Sequence, residues 1–245
     1  MLRGVIFDLG STLLSHEYNN RWHLLRPRLI AVLLDDLRAQ GLSVDADAFA
    51  ETFSRNAAEF DRQRQTHFKE ITSEYTLRAT FAELGLSPNG LDLSRALAAY
   101  FGPSEAMWKP MPHLYETLDA LGARIAHLAI VSNAADSANV QRLIDNHRLR
   151  PYFDPIVVSA AVGVRKPNPR IFDPVLAAWS IPPVEMVMIG DTLGADILGA
   201  RNVGMKSVWV TMEADTPDNN AHRHTILPDA VAASLDELPS LLLTF

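Results

Sequence analysis

Apolar residues along this chain fall into two patterns. Near the amino terminus Val5-Ile6-Phe7 form a short unbroken run that ends at Asp8, with Gly10, Ser11 and Thr12 directly after it. Similar runs lie at 126–133, 155–159, 187–191 and 206–210. Short β-branched and aromatic runs bounded by turn residues read as buried strands. Between residues 18 and 102 the spacing changes to three and four. Leu25, Leu29, Val32, Leu33 and Leu37 predict a helix ended by Gly41. Phe49, Phe53, Ala57 and Phe60 predict a second, opening after Ser43-Val44-Asp45. Tyr75, Leu77, Phe81 and Leu84 predict a third that stops at Gly85, and a shorter fourth fits 92–101. No strand is expected in this block.

From Pro110 onward strands alternate with helices, expected near 112–122, between the strands at 126–133 and 155–159, over 169–179, from about Gly194, and over 235–245. Strands separated by helices of about ten residues read as right-handed βαβ units of a parallel sheet. The first strand belongs to that sheet, with the helical block interrupting it in sequence. The expected organisation is an α/β core of residues 1–17 and 103–245, with a helical insertion over 18–102. Gly102-Pro103 and Lys109-Pro110 supply breakers at its far boundary.

Composition narrows the class. Hydrophobic residues make up 48% of the 245, enough for a sizeable core. The net charge of −7 argues against a nucleic-acid partner, because phosphate backbones call for clustered Lys and Arg. Cysteine is absent, which removes disulfides, thiol chemistry and cysteine metal sites. No run approaches the roughly 18 apolar residues of a membrane helix, and no leader precedes the first strand, so a cytoplasmic location is expected.

Several strand ends carry polar groups. Asp8 at a strand's carboxyl end either faces a ligand crevice or caps the next turn. Ser132-Asn133 after the second strand reads, alone, as a helix cap. Lys166 lies between Arg165 and Pro167-Asn168-Pro169, held at the mouth of a site or solvated. Gly190-Asp191 closes another buried run, with Asp196 five residues on and three glycines between 190 and 199.

In combination these segments resemble the haloacid dehalogenase-like (HAD) hydrolase superfamily. The four motifs stand in order: Asp8 with Thr12, Ser132, Lys166, and Asp191 with Asp196. The helical insertion falls where that family places its cap, and the core is then a Rossmann-like three-layer α/β fold with a mostly parallel sheet. The resemblance implies a phosphatase acting on a small phosphorylated metabolite, with Asp8 as nucleophile and an aspartyl-phosphate intermediate. It implies Mg²⁺, held by Asp8, the Gly10 carbonyl, Asp191 and Asp196, the last as ligand or orienter. Ser132, Asn133 and Lys166 would bind the phosphoryl group, with Ser132 and Lys166 also catalytic.

One position departs from the family pattern. Its phosphatases usually carry a second Asp two residues after the nucleophile, which protonates the leaving alcohol and then activates water. Gly10 stands there. Loss of such a group costs typically 10²–10⁴-fold in rate, unless the leaving group is acidic or another side chain substitutes. His16, Glu17, His67 and Lys69 are the candidates. Gly10 also keeps open a catalytically decayed phosphate-binding or regulatory protein and a dehalogenase- or phosphonatase-like hydrolase. Trp22 and Trp108 are expected between insertion and core, and His222-Arg223-His224 on a solvated loop. Substrate identity and oligomeric state carry no sequence signal.

Overall fold

A computed structural model describes residues 2–18 and 21–245; the side chains of Trp22 and His23 are also outside the described set. Strand β1 (Gly4–Phe7) is followed by β2 (Leu14–His16) and by α1 (Trp22–Ala39), α2 (Ala46–His67), α3 (Ser73–Glu83) and α4 (Leu93–Glu105). The chain returns through β3 (Trp108–Pro110) to α5 (Leu114–Gly122), β4 (His127–Ser132), α6 (Ser137–Asn146), β5 (Ile156–Val158) and α7 (Ser159–Val162). It ends with α8 (Asp173–Trp179), β6 (Met186–Gly190), α9 (Leu198–Val203), β7 (Lys206–Val210), α10 (Pro217–His222), β8 (Ala230–Ala232) and α11 (Leu238–Leu241).

Six strands form one parallel sheet in the order β5-β4-β1-β6-β7-β8. β1 and β6 are buried throughout, which explains why they read as continuous apolar runs rather than as alternation. Successive side chains still point to opposite faces. Val5 and Phe7 pack with Leu128, Ile130, Val187 and Ile189 under α5, α6 and α11. Ile6 packs with Ala129, Val131 and Met188 under α8 and α9. The result is the three-layer, Rossmann-like α/β architecture expected.

Helices α1 to α4 bury a separate cluster in which Leu33, Leu37, Phe49, Phe53, Leu77, Phe81 and Leu97 meet. Their starts are written in polar side chains. Asp45, Thr72 and Asp92 accept from the backbone N–H groups of Ala48, Tyr75 and Arg95, the usual satisfaction of orphan donors at a helix start. Tyr75 does not join this core; at 57% exposed it stands edge-on to Phe60 in the first turn of α3.

Several expectations need correction. Gly102-Pro103 does not break the chain: α4 runs on to Glu105, with Ser104 buried and its hydroxyl donating to the Phe101 carbonyl. β2 and β3 pair antiparallel, matching Leu14 with Pro110 and His16 with Trp108, and three residues are too few to show a period. β8 was missed for the same reason. The region from Pro169 opens as a 3-10 turn before α8, and that near Gly194 opens as a π-helical turn over Leu193–Ile197. The final helix is three short pieces, a 3-10 turn over Leu235–Glu237, then α11 with Pro239 in its first turn, then a 3-10 turn over Leu242–Thr244. No helix among the described residues is long and apolar enough to cross a membrane.

Phe172 is fully buried beneath the sheet and abuts Gly199 of α9. Phe172→Ala is expected to cost about 3–5 kcal/mol, read as a lowered urea midpoint with unchanged far-UV circular dichroism.

Candidate active site

Sheet register creates the site. Phe7 is level with Ile130 on β4 and with Ile189 on β6. The residues just beyond therefore emerge together at the carboxyl edge of three adjacent strands, the usual ligand crevice of an open α/β sheet. The Asp8 N–H donates to the Ile189 carbonyl at 2.9 Å, fixing the turn out of β1. Asp8, Gly10, Ser132, Asn133, Lys166, Asp191 and Asp196 all line one cavity of about 660 Å³.

Lys166 is the hub. Its Nζ lies 2.5 Å from Asp8 Oδ1, 2.7 Å from Asp196 Oδ1 and 2.6 Å from the Val131 carbonyl, and only 2% of the residue is exposed. An ammonium has three protons, and three oxygens take them. Asn133 holds the lysine's main chain from both sides: its Oδ1 accepts from the Lys166 N–H at 2.8 Å and its Nδ2 donates to the Lys166 carbonyl at 3.0 Å. The Asn133 side chain, expected on phosphate, is thus engaged in placing the lysine.

Asp191 and Asp196 come from the turn after β6. Asp196 Oδ2 accepts the Thr192 N–H at 2.9 Å, while Oδ1 faces Lys166. This folds the Asp196 side chain back over Gly190, where a Cβ would stand 2.3 Å from its carboxyl carbon. Only glycine fits. Thr12, fully buried, lies with its hydroxyl 3.5 Å from Asp191 Oδ1.

Three supports were invisible in the sequence. Asn219 on α10 is 1% exposed; its Nδ2 donates to the Asp191 and Ala214 carbonyls and its Oδ1 accepts from the Leu193 N–H. Trp209 Nε1 also donates to the Asp191 carbonyl, at 2.7 Å. Glu70, just after α2, accepts from the Ser159 hydroxyl at 2.5 Å, and Ser159 Oγ in turn accepts the Ala134 N–H at 2.9 Å. Arg64 and Arg165 flank Glu70 at 3.7 and 3.9 Å. These supports lie far from the motifs in sequence, and a lone Asn or Glu carries no pattern. The capping Thr216, three residues before Asn219, was the one available signal.

Gly10 faces Trp108. A Cβ there would meet the indole at 3.4 Å, an ordinary van der Waals contact. His16 stands edge-on to the same ring, with centroids 4.8 Å apart, and its Nδ1 accepts the Tyr18 N–H. Burial pushes the His16 imidazole below its ordinary pKa. Glu17, His67 and Lys69 are exposed and are not among the cavity's lining residues. His222, Arg223 and His224 are exposed, as expected. Trp108 packs against the core cluster under the sheet and lines the cavity, whereas the Trp22 side chain is outside the described residues.

Electrostatics define what the site lacks. One oxygen from each of Asp8, Asp191 and Asp196 lies within 4.8 Å of the others. Against three carboxylates stands one ammonium, leaving two negative charges uncompensated when all are ionised. Burial, opposed by Lys166 and reinforced by Asp196, raises the Asp8 carboxyl to about 6. Burial, with Asp196 and Asp8 adding to it, raises Asp191 well above the carboxylate range. Burial opposes the charge on Lys166, but Asp196 and Asp8 outweigh it and raise the lysine.

Fold and site together define an α/β enzyme with clustered acids at the carboxyl ends of central parallel strands and a helical segment inserted after the first of them. The chain belongs to the haloacid dehalogenase-like hydrolases, whose family model matches residues 42–210. That span holds Ser132, Lys166, Asp191 and Asp196, and Asp8 precedes it. Among similar proteins, a glyceraldehyde 3-phosphate phosphatase of Methanothermobacter thermautotrophicus is 27% identical, covering 99% of this chain and 100% of its own. The pyrimidine 5'-nucleotidase YjjG of Escherichia coli is 35% identical over 59% of this chain and 61% of its own. The solved 2-haloacid dehalogenase of Pseudomonas syringae pv. tomato superposes with a TM-score of 0.72 at 22% identity, covering 100% of this chain and 99% of its own, a likeness of fold.

Gly190→Ala drives a methyl into the Asp196 carboxyl. The variant is expected to stay folded by circular dichroism while losing hydrolase activity by about 10²-fold or more, as a displaced electrostatic group does.

Proposed function

We propose that this chain is a Mg²⁺-dependent phosphatase of small phosphorylated metabolites that works through an aspartyl phosphate on Asp8. The observation that carries the proposal is the Lys166 ammonium joining Asp8 to Asp196 beside Asp191. The names of the similar proteins support phosphate-ester substrates, since relatives matched over most or part of the chain are phosphatases. Residues 18–102 then serve as a cap domain over a core of 1–17 and 103–245.

The donor set suits a hard divalent cation: buried carboxylate oxygens close together, a backbone carbonyl at Gly10, and two surplus negative charges. Asp8, Asp191 and the Gly10 carbonyl would hold Mg²⁺, which supplies the charge that lets a phosphate approach a carboxylate. Asp196, with both oxygens engaged by Lys166 and Thr192, orients the lysine. Asp8 attacks phosphorus, and the ester oxygen departs with the bonding pair. Lys166 opposes the effect of burial on Asp8, favouring its ionised form, and neutralises charge gathering on the phosphoryl oxygens. Ser132 donates its hydroxyl proton to one of those oxygens. Water then attacks phosphorus and frees the Asp8 carboxylate.

With p-nitrophenyl phosphate as substrate, turnover should require Mg²⁺ and fall to background in Asp8→Asn. Turnover that survives either change refutes the proposal, and metal-independent chloride release from a 2-haloacid would replace it with dehalogenation.

Linkage gives a second expectation. The folded protein holds a proton on Asp8 up to about pH 6, whereas the unfolded chain loses it near 3.8. Metal-free stability therefore falls as pH rises through that window. Mg²⁺ needs the carboxylates deprotonated. The rise in thermal midpoint on adding Mg²⁺ should be larger at about pH 7.5 than at about pH 5; an equal rise at both would contradict the assignment.

A further inference from the structure

We propose that the substrates of this site are phosphate esters of acidic aromatic hydroxyls, whose leaving oxygen needs no proton. The inference rests on the phosphatase reading and goes beyond it by naming the leaving group.

The first support is the residue at position 10. Gly10 offers no acid, and the Trp108 indole lies 3.4 Å from where its Cβ would be. The second is a census of the acids and imidazoles lining the cavity. Asp8, Asp191 and Asp196 surround Lys166. Asp61 is paired with Arg64 and, at 3.7 Å, with Arg26. Asp136 caps α6, accepting the Asn139 N–H at 2.7 Å. His16 accepts the Tyr18 N–H against Trp108. Among the described residues lining the cavity, every carboxylate and imidazole is engaged elsewhere.

The third support is a set of apolar and aromatic side chains that line the same cavity, beside Arg26, Arg64 and Arg165. Leu29, Phe53, Tyr100, Phe101 and Trp108 line the cavity. The Phe53 and Tyr100 rings lie 5.6 Å apart, and the Tyr100 and Phe101 rings 4.9 Å apart in an edge-to-face pair. Such surfaces favour a flat apolar ring. At about 660 Å³ the cavity holds far more than a phosphate group.

The chemistry closes without an added acid. Asp8 forms an O–P bond while the aryl O–P bond breaks, and the electron pair leaves on the aryl oxide. In the second step water bonds to phosphorus and the Asp8 O–P bond breaks. The Asp8 carboxylate, itself a good leaving group, departs, and the water protons remain on the phosphate released.

The test is a substrate series at fixed pH and saturating Mg²⁺: p-nitrophenyl phosphate, phenyl phosphate, uridine 5'-monophosphate and glyceraldehyde 3-phosphate. Phenol has a pKa of about 10, like tyrosine, whereas the last two release alkoxides. kcat/KM should fall steadily with leaving-group pKa, the aryl esters exceeding both alkyl esters by at least about 100-fold. Gly10→Asp should raise kcat/KM for the alkyl esters relative to p-nitrophenyl phosphate, narrowing the gap between them. Alkyl esters hydrolysed as fast as aryl esters by the wild-type protein would overturn this inference and leave the phosphatase reading standing. No turnover of any ester would overturn the phosphatase reading itself. The wild-type series decides alone if the Gly10→Asp variant does not fold.

Discussion

Three carboxylates share one buried ammonium, and the rest of the molecule is arranged to make that tolerable. Burying charge is expensive unless partners are close and well placed. Here β1 and β6 deliver Asp8 and Asp191, the turn after β6 folds Asp196 back over Gly190, and Asn133 fixes the main chain of Lys166. The imbalance that remains is two negative charges, matching the divalent cation proposed for the site. A site built this way is poised for an incoming cation and phosphate rather than for an apolar ligand alone.

The helical layer contributes differently. Its own core holds α1 to α4 together, while Phe53, Tyr100 and Phe101 turn toward the cavity. The loop after α2 meets the sheet's edge loops: the Glu70 N–H donates to Gly163, and the Arg165 N–H donates to Phe68. Glu70 thereby links the end of α2 to Ser159 and the loop after β4, next to Lys166 and Ser132. The helical segment and the loops around the cavity are joined through main-chain hydrogen bonds and one buried acid.

The strands of the sheet were legible because full burial makes them unbroken apolar runs, and the strand-end acids were legible because they interrupt those runs. The first three helices of the insertion were legible from their three-and-four spacing, the second also from Asp45 at its start, and the fourth as a shorter helix near 92–101. What escaped was short or long-range. β2, β3 and β8 span three residues each, and Pro103 misled because tertiary packing carried α4 past it. Asn133 was seen, but its partner, the Lys166 main chain thirty-three residues away, was not. Asn219 and Glu70 act only through contacts that no local pattern encodes. Gly10 was noticed as a missing acid, while the indole that covers it lies almost a hundred residues further along.

The clash between a Cβ at 190 and the Asp196 carboxyl also has a meaning for descent. Two positions six apart are bound in one direction: any side chain at 190 is barred while the acid at 196 keeps its pose. A lineage that drifts must give up the acid first, and the glycine becomes free to vary only afterward. Homologues that retain Asp196 but not Gly190 should therefore be scarce, whereas the reverse combination records a chain already released from this chemistry.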